Sequence, residues 1–260
     1  MMVKTWGILI GMALVAATLL GVSYRNANAP KPPCRTLKKP FAYTLCEFAP
    51  QSSQTLRLIW RDNPSNEPML TFDNLLAFAR RKQIGQVQFA MNAGMYDSKF
   101  APIGYTVIDG RQIRSLNLKN GAGNFHLLPN GVFWWDDSGY HVTESHAMAK
   151  RLADGLQPTY ATQSGPMLVI GGKIHPSFDP QSTSAKLRNG VGVCQDGRVK
   201  FVISDTWVNF YQFAQLFKDQ LHCDNALFLD GGTASALYSE NLERSDNIRM
   251  GAMLVVSGKS

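Results

Sequence analysis

Asn225-Ala226-Leu227-Phe228-Leu229-Asp230-Gly231-Gly232 is the stretch whose reading decides the fold. Residues 226–229 are a short continuous apolar run, too brief for a helix and suited to a compact buried strand. The Asp-Gly-Gly that follows ends it at once. A carboxylate and glycines just past a rigid strand form a common site geometry, because the strand fixes them at a surface cleft. The glycines let a ligand approach the backbone, and free N–H groups there can face an anion. Asp230 is therefore a candidate acid, base or nucleophile, with capping of the next turn as its structural alternative.

Working outward, Phe210, Phe213, Ala214, Phe217 and Leu221 mark an amphipathic helix that runs into this strand. Its aromatic stripe is read as core. Downstream, residues 252–256 close the chain as another strand. Upstream, residues 56–60 read as a strand, and Thr71 caps a helix with Phe72, Leu75, Leu76 and Ala79 at helical spacing, ending near Gly85. Val87, Phe89 and Met91 then alternate with strand periodicity. Asp109-Gly110 and Asp196-Gly197 sit between β-rich runs as tight hairpin turns, and Asn130-Gly131 is read as the same device before residues 132–135. The expectation is a single α+β domain over residues 41–260, with a hairpin-rich mixed β-sheet core and a few packed helices.

The 260 residues are 45% hydrophobic and 17% charged, enough apolar content to bury a core. With Gly 22 and Pro 13, collagen-like and low-complexity architectures are excluded. Lys4, an uncharged run over residues 6–22, Arg25 and then Ala27-Asn28-Ala29 have the layout of a secretory signal cleaved after Ala29. The alternative for residues 1–29 is an uncleaved N-terminal anchor, in which residues 6–22 make the only membrane contact. Residues 30–40, opening on Pro30-Lys31-Pro32-Pro33, read as a Pro-rich tether. Both alternatives place the domain outside the cytoplasm, in the periplasm or the extracellular space.

Of the formal charge of +7, two units belong to Lys4 and Arg25, leaving +5 beyond residue 29. That remainder forms no Lys/Arg-rich block, so a nucleic-acid partner is not expected. A modest positive balance suits anionic substrates instead. Cys34, Cys46, Cys194 and Cys223 are an even set in an exported chain, which favours disulfides. Cys34–Cys46 with Cys194–Cys223 closes the two short loops, one of three connectivities the sequence allows. The spacing of the cysteines and histidines matches no zinc motif, and no Gly-x-Ser-x-Gly elbow, P-loop or dinucleotide fingerprint occurs. No cofactor is expected, and a structural calcium ion has no readable loop.

Three further polar clusters border predicted strands: Asn92-Ala93-Gly94, Gln163-Ser164-Gly165-Pro166 and Arg188-Asn189-Gly190. Asn92 in such a place can bind a substrate hydroxyl, and Arg188 can grip phosphate or carboxylate through two hydrogen bonds. Turn formation and a solvated guanidinium are the structural alternatives. Asp97, Glu144 and Asp205 are the candidate second carboxylates, with a surface or turn position as the structural alternative for each.

The order and wording of these clusters resemble a known family. Phe89-Ala90-Met91-Asn92-Ala93-Gly94-Met95-Tyr96 followed by Pro102-Ile103-Gly104 is similar to the opening Asn-Gly-Gly-Phe-type block of the phosphodiester glycosidases. Gln163-Ser164-Gly165-Pro166-Met167-Leu168-Val169 resembles their Gly-Pro block. Arg188-Asn189-Gly190-Val191-Gly192-Val193 resembles Arg-Thr-Ala-Ile-Gly-Val, and residues 225–232 resemble Asn-Ala-Leu-Asn-Leu-Asp-Gly-Gly. The likeness spans roughly residues 86–257. After Gly232 the family's Gly-Ser is replaced by Thr233-Ala234, with Ser235 one place later.

The resemblance implies a hydrolase that cleaves the glycosidic bond of a sugar-1-phosphodiester in an envelope or extracellular glycan. It implies Asp230, Arg188 and Asn92 as catalytic residues. Gly231, Gly232, Thr233, Ser235, Gly94, Gln163 and Ser164 are the implied substrate-binding positions, and a carbohydrate phosphodiester the partner. The alternative is a non-catalytic glycan-binding or envelope-interaction protein.

Overall fold

A computed structural model describes residues 32–49, 54–62 and 65–258. The leader, the first half of the Pro30–Pro33 stretch and residues 259–260 lie outside the described residues. The tether expected over residues 30–40 is corrected in part: Cys34–Leu37 is already an edge strand. It is held there because Cys34 lies directly opposite Cys46 in the neighbouring strand and is disulfide-bonded to it. The domain therefore begins near residue 33, ahead of the expected boundary at 41.

Three antiparallel sheets form the domain. The first orders its seven strands as Cys34–Leu37, Tyr43–Phe48, Val199–Ser204, Asn189–Cys194, Cys223–Phe228, Met167–Ile170 and Lys173–Ile174. The second runs Arg244–Ser245, Leu237–Ser239, Val87–Asn92, Met253–Gly258 and Gln54–Ile59. The third runs Arg111–Arg114, Thr106–Ile108, Tyr160–Ser164, Gly131–Asp136 and Gly139–Glu144. The α+β class stands, but the sheets are antiparallel rather than mixed. Short turns close the hairpins at residues 108–111, 136–139, 170–173 and 194–199, whereas each of the three helices lies on a longer connection between strands.

One aromatic from each sheet meets the others at the centre. Phe89 stacks on Phe201 at 4.9 Å between ring centroids, and Phe133 meets Phe201 edge-on at 5.9 Å. All three are fully buried. Each sheet is backed on its other face by one helix. Phe72–Lys82 packs Phe72, Leu75 and Ala79 on the second sheet, and its N-terminus is capped by the Thr71 hydroxyl as the sequence indicates. Phe210–Gln215 and the single π-turn Leu216–Gln220 pack Phe213 and Phe217 on the first. Ser145–Ala153 packs Met148 on the third. None of these helices is long and apolar enough to cross a membrane, among the described residues.

The Asp109-Gly110 turn forms with both residues at positive φ (51° and 72°), and the Asp196-Gly197 connection forms with Gly197 alone at positive φ (75°). The Asn130-Gly131 turn does not. Gly131 is inside the strand Gly131–Asp136, and the hairpin falls after it, between Asp136 and Gly139. Asn130 is buried and donates to the Phe125 carbonyl, while a Cβ on Gly131 would stand 3.0 Å from both Met167 and the Thr143 carbonyl. That glycine answers a packing demand. Cys194 and Cys223, partners across two paired strands, form the second disulfide, so both pairs close as the short-loop pairing proposed. Two disulfides in one chain belong to an oxidising compartment.

Candidate active site

The strand Cys223–Phe228 occupies the interior of the first sheet, between Asn189–Cys194 and Met167–Ile170. Beyond Phe228 the chain crosses between sheets. Leu229 N–H still donates to Asn189 in the first sheet, whereas Asp230 N–H donates to Ala93, which follows a strand of the second. Asp230 thus stands where two sheets part. Its carboxylate is half-buried and has no hydrogen-bond or ionic partner among the described residues. Burial raises its pKa from 3.8 to about 6. The ring of Tyr96 is close enough to feel this charge: its phenol is pushed up to about 12, first by burial and then by Asp230. Tyr96 itself donates to the Arg249 carbonyl and fills the space beside Gly251.

Asn92 holds this crossing in place. Its Nδ2 donates to the Asp230 carbonyl at 2.7 Å, and its Oδ1 accepts from Asn189 Nδ2 and from Ala236 N–H at 3.0 Å. The side chain is fully buried. Expected to orient a sugar hydroxyl, it ties the backbones of Asp230 and Ala236 to the Asn189 side chain.

Arg188 is 2% exposed, with Nε donating to Val208 O (2.8 Å) and Nη2 to Ser184 O (2.9 Å). Its guanidinium lies 3.6 Å from the centroid of Phe210 and 5.7 Å from that of Phe228. Nη1 has no partner among the described residues. Burial lowers its pKa to about 10, which leaves it a cation at neutral pH. Arg188 and Asp230 do not form an ion pair. Their backbones are neighbours nonetheless, since a Cβ on Gly231 would stand 3.3 Å from the Arg188 Cα and 2.6 Å from the Phe228 ring. Only glycine fits there.

The idea that free N–H groups of Gly231 and Gly232 face an anion is corrected. Gly231 N–H donates to Leu229 and Gly232 N–H to Leu187, so both are consumed by the loop's own fold. Gly232 takes φ 78°, a conformation that favours glycine. Thr233 is exposed, whereas Ser235 is 5% exposed and its Oγ has no partner.

The Gln163 block serves elsewhere. Gln163 Oε1 accepts from Tyr105 and Asn117 N–H groups, and Nε2 donates to Asn117 O and Ser145 Oγ. Gly94 is forced by packing, because a Cβ would sit 2.2 Å from the Gln163 carbonyl. Ser164 is fully buried with an unpartnered Oγ. The candidate second carboxylates are engaged: Glu144 caps the helix Ser145–Ala153, Asp97 Oδ1 accepts from Lys99 and Ala101, and Asp205 pairs with Arg244.

Sequence reasoning passed over Tyr96 and the part played by Phe210. Tyr96 stood in the quoted opening block. Phe210 was read as one more residue of a core stripe, and only the fold brings its ring beneath Arg188.

The site thus combines a carboxylate of raised pKa at the end of a buried strand, a glycine that packing compels at position 231 and a buried arginine. Residues 85–256 match the phosphodiester glycosidase family, and the chain belongs to that family. It is 38% identical over 199 residues to the uncharacterized protein YigE of Escherichia coli, covering 76% of this chain and 73% of that one. Its fold is similar to the zebrafish N-acetylglucosamine-1-phosphodiester alpha-N-acetylglucosaminidase catalytic domain auto-inhibited by its pro-peptide. That likeness has a TM-score of 0.60 at 15% identity, over 86% of this chain and 81% of that one. A hypothetical protein from Synechocystis shares the fold with a TM-score of 0.54 at 15% identity, over 86% of this chain and 61% of that one.

Proposed function

We propose that this chain is an exported hydrolase, periplasmic or extracellular, that cleaves the glycosidic bond of a sugar-1-phosphodiester. The observation that carries the reading is the Asp230 carboxylate, unpartnered and held on a rigid strand end in a chain of this family. A carboxylate left without hydrogen bonds in a half-buried place costs stability, so its retention there fits a chemical task.

In the reaction water adds at the anomeric carbon, the bond from that carbon to the phosphate oxygen breaks, and free sugar leaves with a phosphate monoester. Asp230 acts from its ionised form, as base toward water or as nucleophile and stabiliser of an oxocarbenium-like centre. A phosphate monoester is a good leaving group, so a strong general acid is not required. Arg188 supplies positive charge to the departing phosphate through Nη1. Asn92 acts one step back, fixing the backbone that carries Asp230.

The test uses the full chain with a panel of sugar-1-phosphodiesters in water enriched in oxygen-18. The reading requires release of free sugar with the label on the sugar. Label on phosphate would mean cleavage of the phosphorus–oxygen bond, and binding without release would favour the glycan-binding alternative.

A further inference from the structure

Beside the Asp230 loop lies a hollow of about 350 Å³, near the lower end of ligand-pocket volumes. Ser235, Asp205, Arg244, Asp246 and Asn247 bring polar groups to it, and Leu187, Ile203 and Ile248 supply apolar wall. Two contacts fasten it to the candidate active site. Leu187, in its wall, accepts the Gly232 N–H, and Ser204, also in its wall, accepts the Arg188 N–H at 2.8 Å.

Ser235 is the informative residue. It is 95% buried, it lines the hollow, and its Oγ has no hydrogen-bond partner among the described residues. Buried hydroxyls are nearly always paired, so one left unpaired on a residue that walls a polar hollow marks a place for a ligand group. The charge of the hollow selects that group. Arg244 pairs with Asp205 at 2.7 Å and with Asp246 at 2.9 Å, which leaves one net negative charge. Asp205 Oδ2 also accepts from the Thr44 hydroxyl and Asp246 Oδ2 from Leu237 N–H, and each carboxylate keeps lone-pair capacity beyond these bonds, chiefly on Oδ1. Such a lining repels phosphate and accepts hydroxyl donors, while the three aliphatic side chains suit the C–H faces of a ring.

We propose that this hollow is a subsite for a neutral pyranose, in which Ser235 Oγ and the Asp205 and Asp246 carboxylates take the sugar hydroxyls. Phosphate is left to the Arg188 side of the loop. The sugar rests on the glycosidase reading above, and the hollow itself on geometry alone.

Calorimetric titration of the full chain with the methyl α-glycosides of glucose, galactose, mannose and N-acetylglucosamine tests it, with inorganic phosphate as the comparison ligand. At least one glycoside should bind. Ser235→Ala should weaken it about tenfold, the size of one lost hydrogen bond, and leave phosphate binding unchanged. The same variant should keep the melting temperature, because it deletes a hydroxyl that the fold leaves unpaired. Asp205→Asn, which keeps the shape, should also weaken glycoside binding. The subsite is overturned if none of the four glycosides binds, or if both variants bind them as the parent does. The two readings fail separately. Loss of turnover in Asp230→Asn with glycoside binding indifferent to Ser235 removes only the subsite. Sugar binding that follows Ser235, with Asp230→Asn fully active, removes only the catalytic role.

Discussion

The loop of residues 229–235 and the side chain of Gln163 both belong to polar clusters beside buried strands, and the fold treats them oppositely. In the first, the Asp230 carboxylate and the Ser235 hydroxyl stand without partners. In the second, Gln163 spends both ends of its carboxamide on Tyr105, Asn117 and Ser145. Asn92 and Arg188 fall between these extremes, the one fully engaged and the other with Nη1 open. A block of residues shared across a family therefore mixes groups that build a site with groups that act in it. What separates them is whether their hydrogen-bonding capacity is already used.

This difference can be broken by substitution. Gln163→Ala should have the largest effect, stranding several buried backbone and hydroxyl groups at once. We expect about 4 kcal/mol less stability in denaturant unfolding, with catalysis per folded molecule retained. A neutral result there would mean that Gln163 is not a structural clip. Asn92→Ala should cost about 3 kcal/mol by the same reasoning and also slow turnover, because it loosens the segment that carries Asp230.

Asp230→Asn should act in the opposite direction. Burial raises the Asp230 pKa above its unfolded value, so the folded protein holds this proton more tightly than the unfolded chain. Stability contributed by the site is therefore greatest below about pH 4 and is lost as pH rises toward 6. The Asn variant lacks this slope. It should exceed the parent by about 2 kcal/mol at pH 7 and match it near pH 3.5, as thermal unfolding across that range will show. A parent that is the more stable at pH 7 would mean that Asp230 has a partner when folded. Ser235→Ala is the smallest case, within about 0.5 kcal/mol of the parent if its hydroxyl serves no internal bond.

Much of the fold was legible because its signals are local. The alternation of Val87, Phe89 and Met91, the Thr71 cap and the Asp109-Gly110 turn each act within a few residues, and each forms. The helix Ser145–Ala153 was missed because nine residues give little room for periodicity, and its cap is Glu144, which was weighed as a carboxylate for chemistry. Asn130-Gly131 misled for a related reason: the dipeptide suits a turn, but here contacts from Met167 and Thr143 demand the glycine.

The site was legible only in its anchor. Asp230 is marked by the strand before it and the glycines after it. The use of Asn92 depends on residues 97 to 144 positions away, and the Arg188 cage on carbonyls of Val208 and Ser184 together with the Phe210 ring. No spacing along the chain announces such contacts.

The central claim is that the Asp230 carboxylate performs the chemistry, and turnover of a sugar-1-phosphodiester by the parent and by Asp230→Asn tests it most directly. The parent's kcat/KM should rise with pH through an inflection near 6, where this carboxylate ionises. The variant should fold and lose about 10³-fold in rate, a loss typical of a missing acid–base or nucleophilic group. A folded Asp230→Asn protein that turns over at the parent's rate would contradict the account.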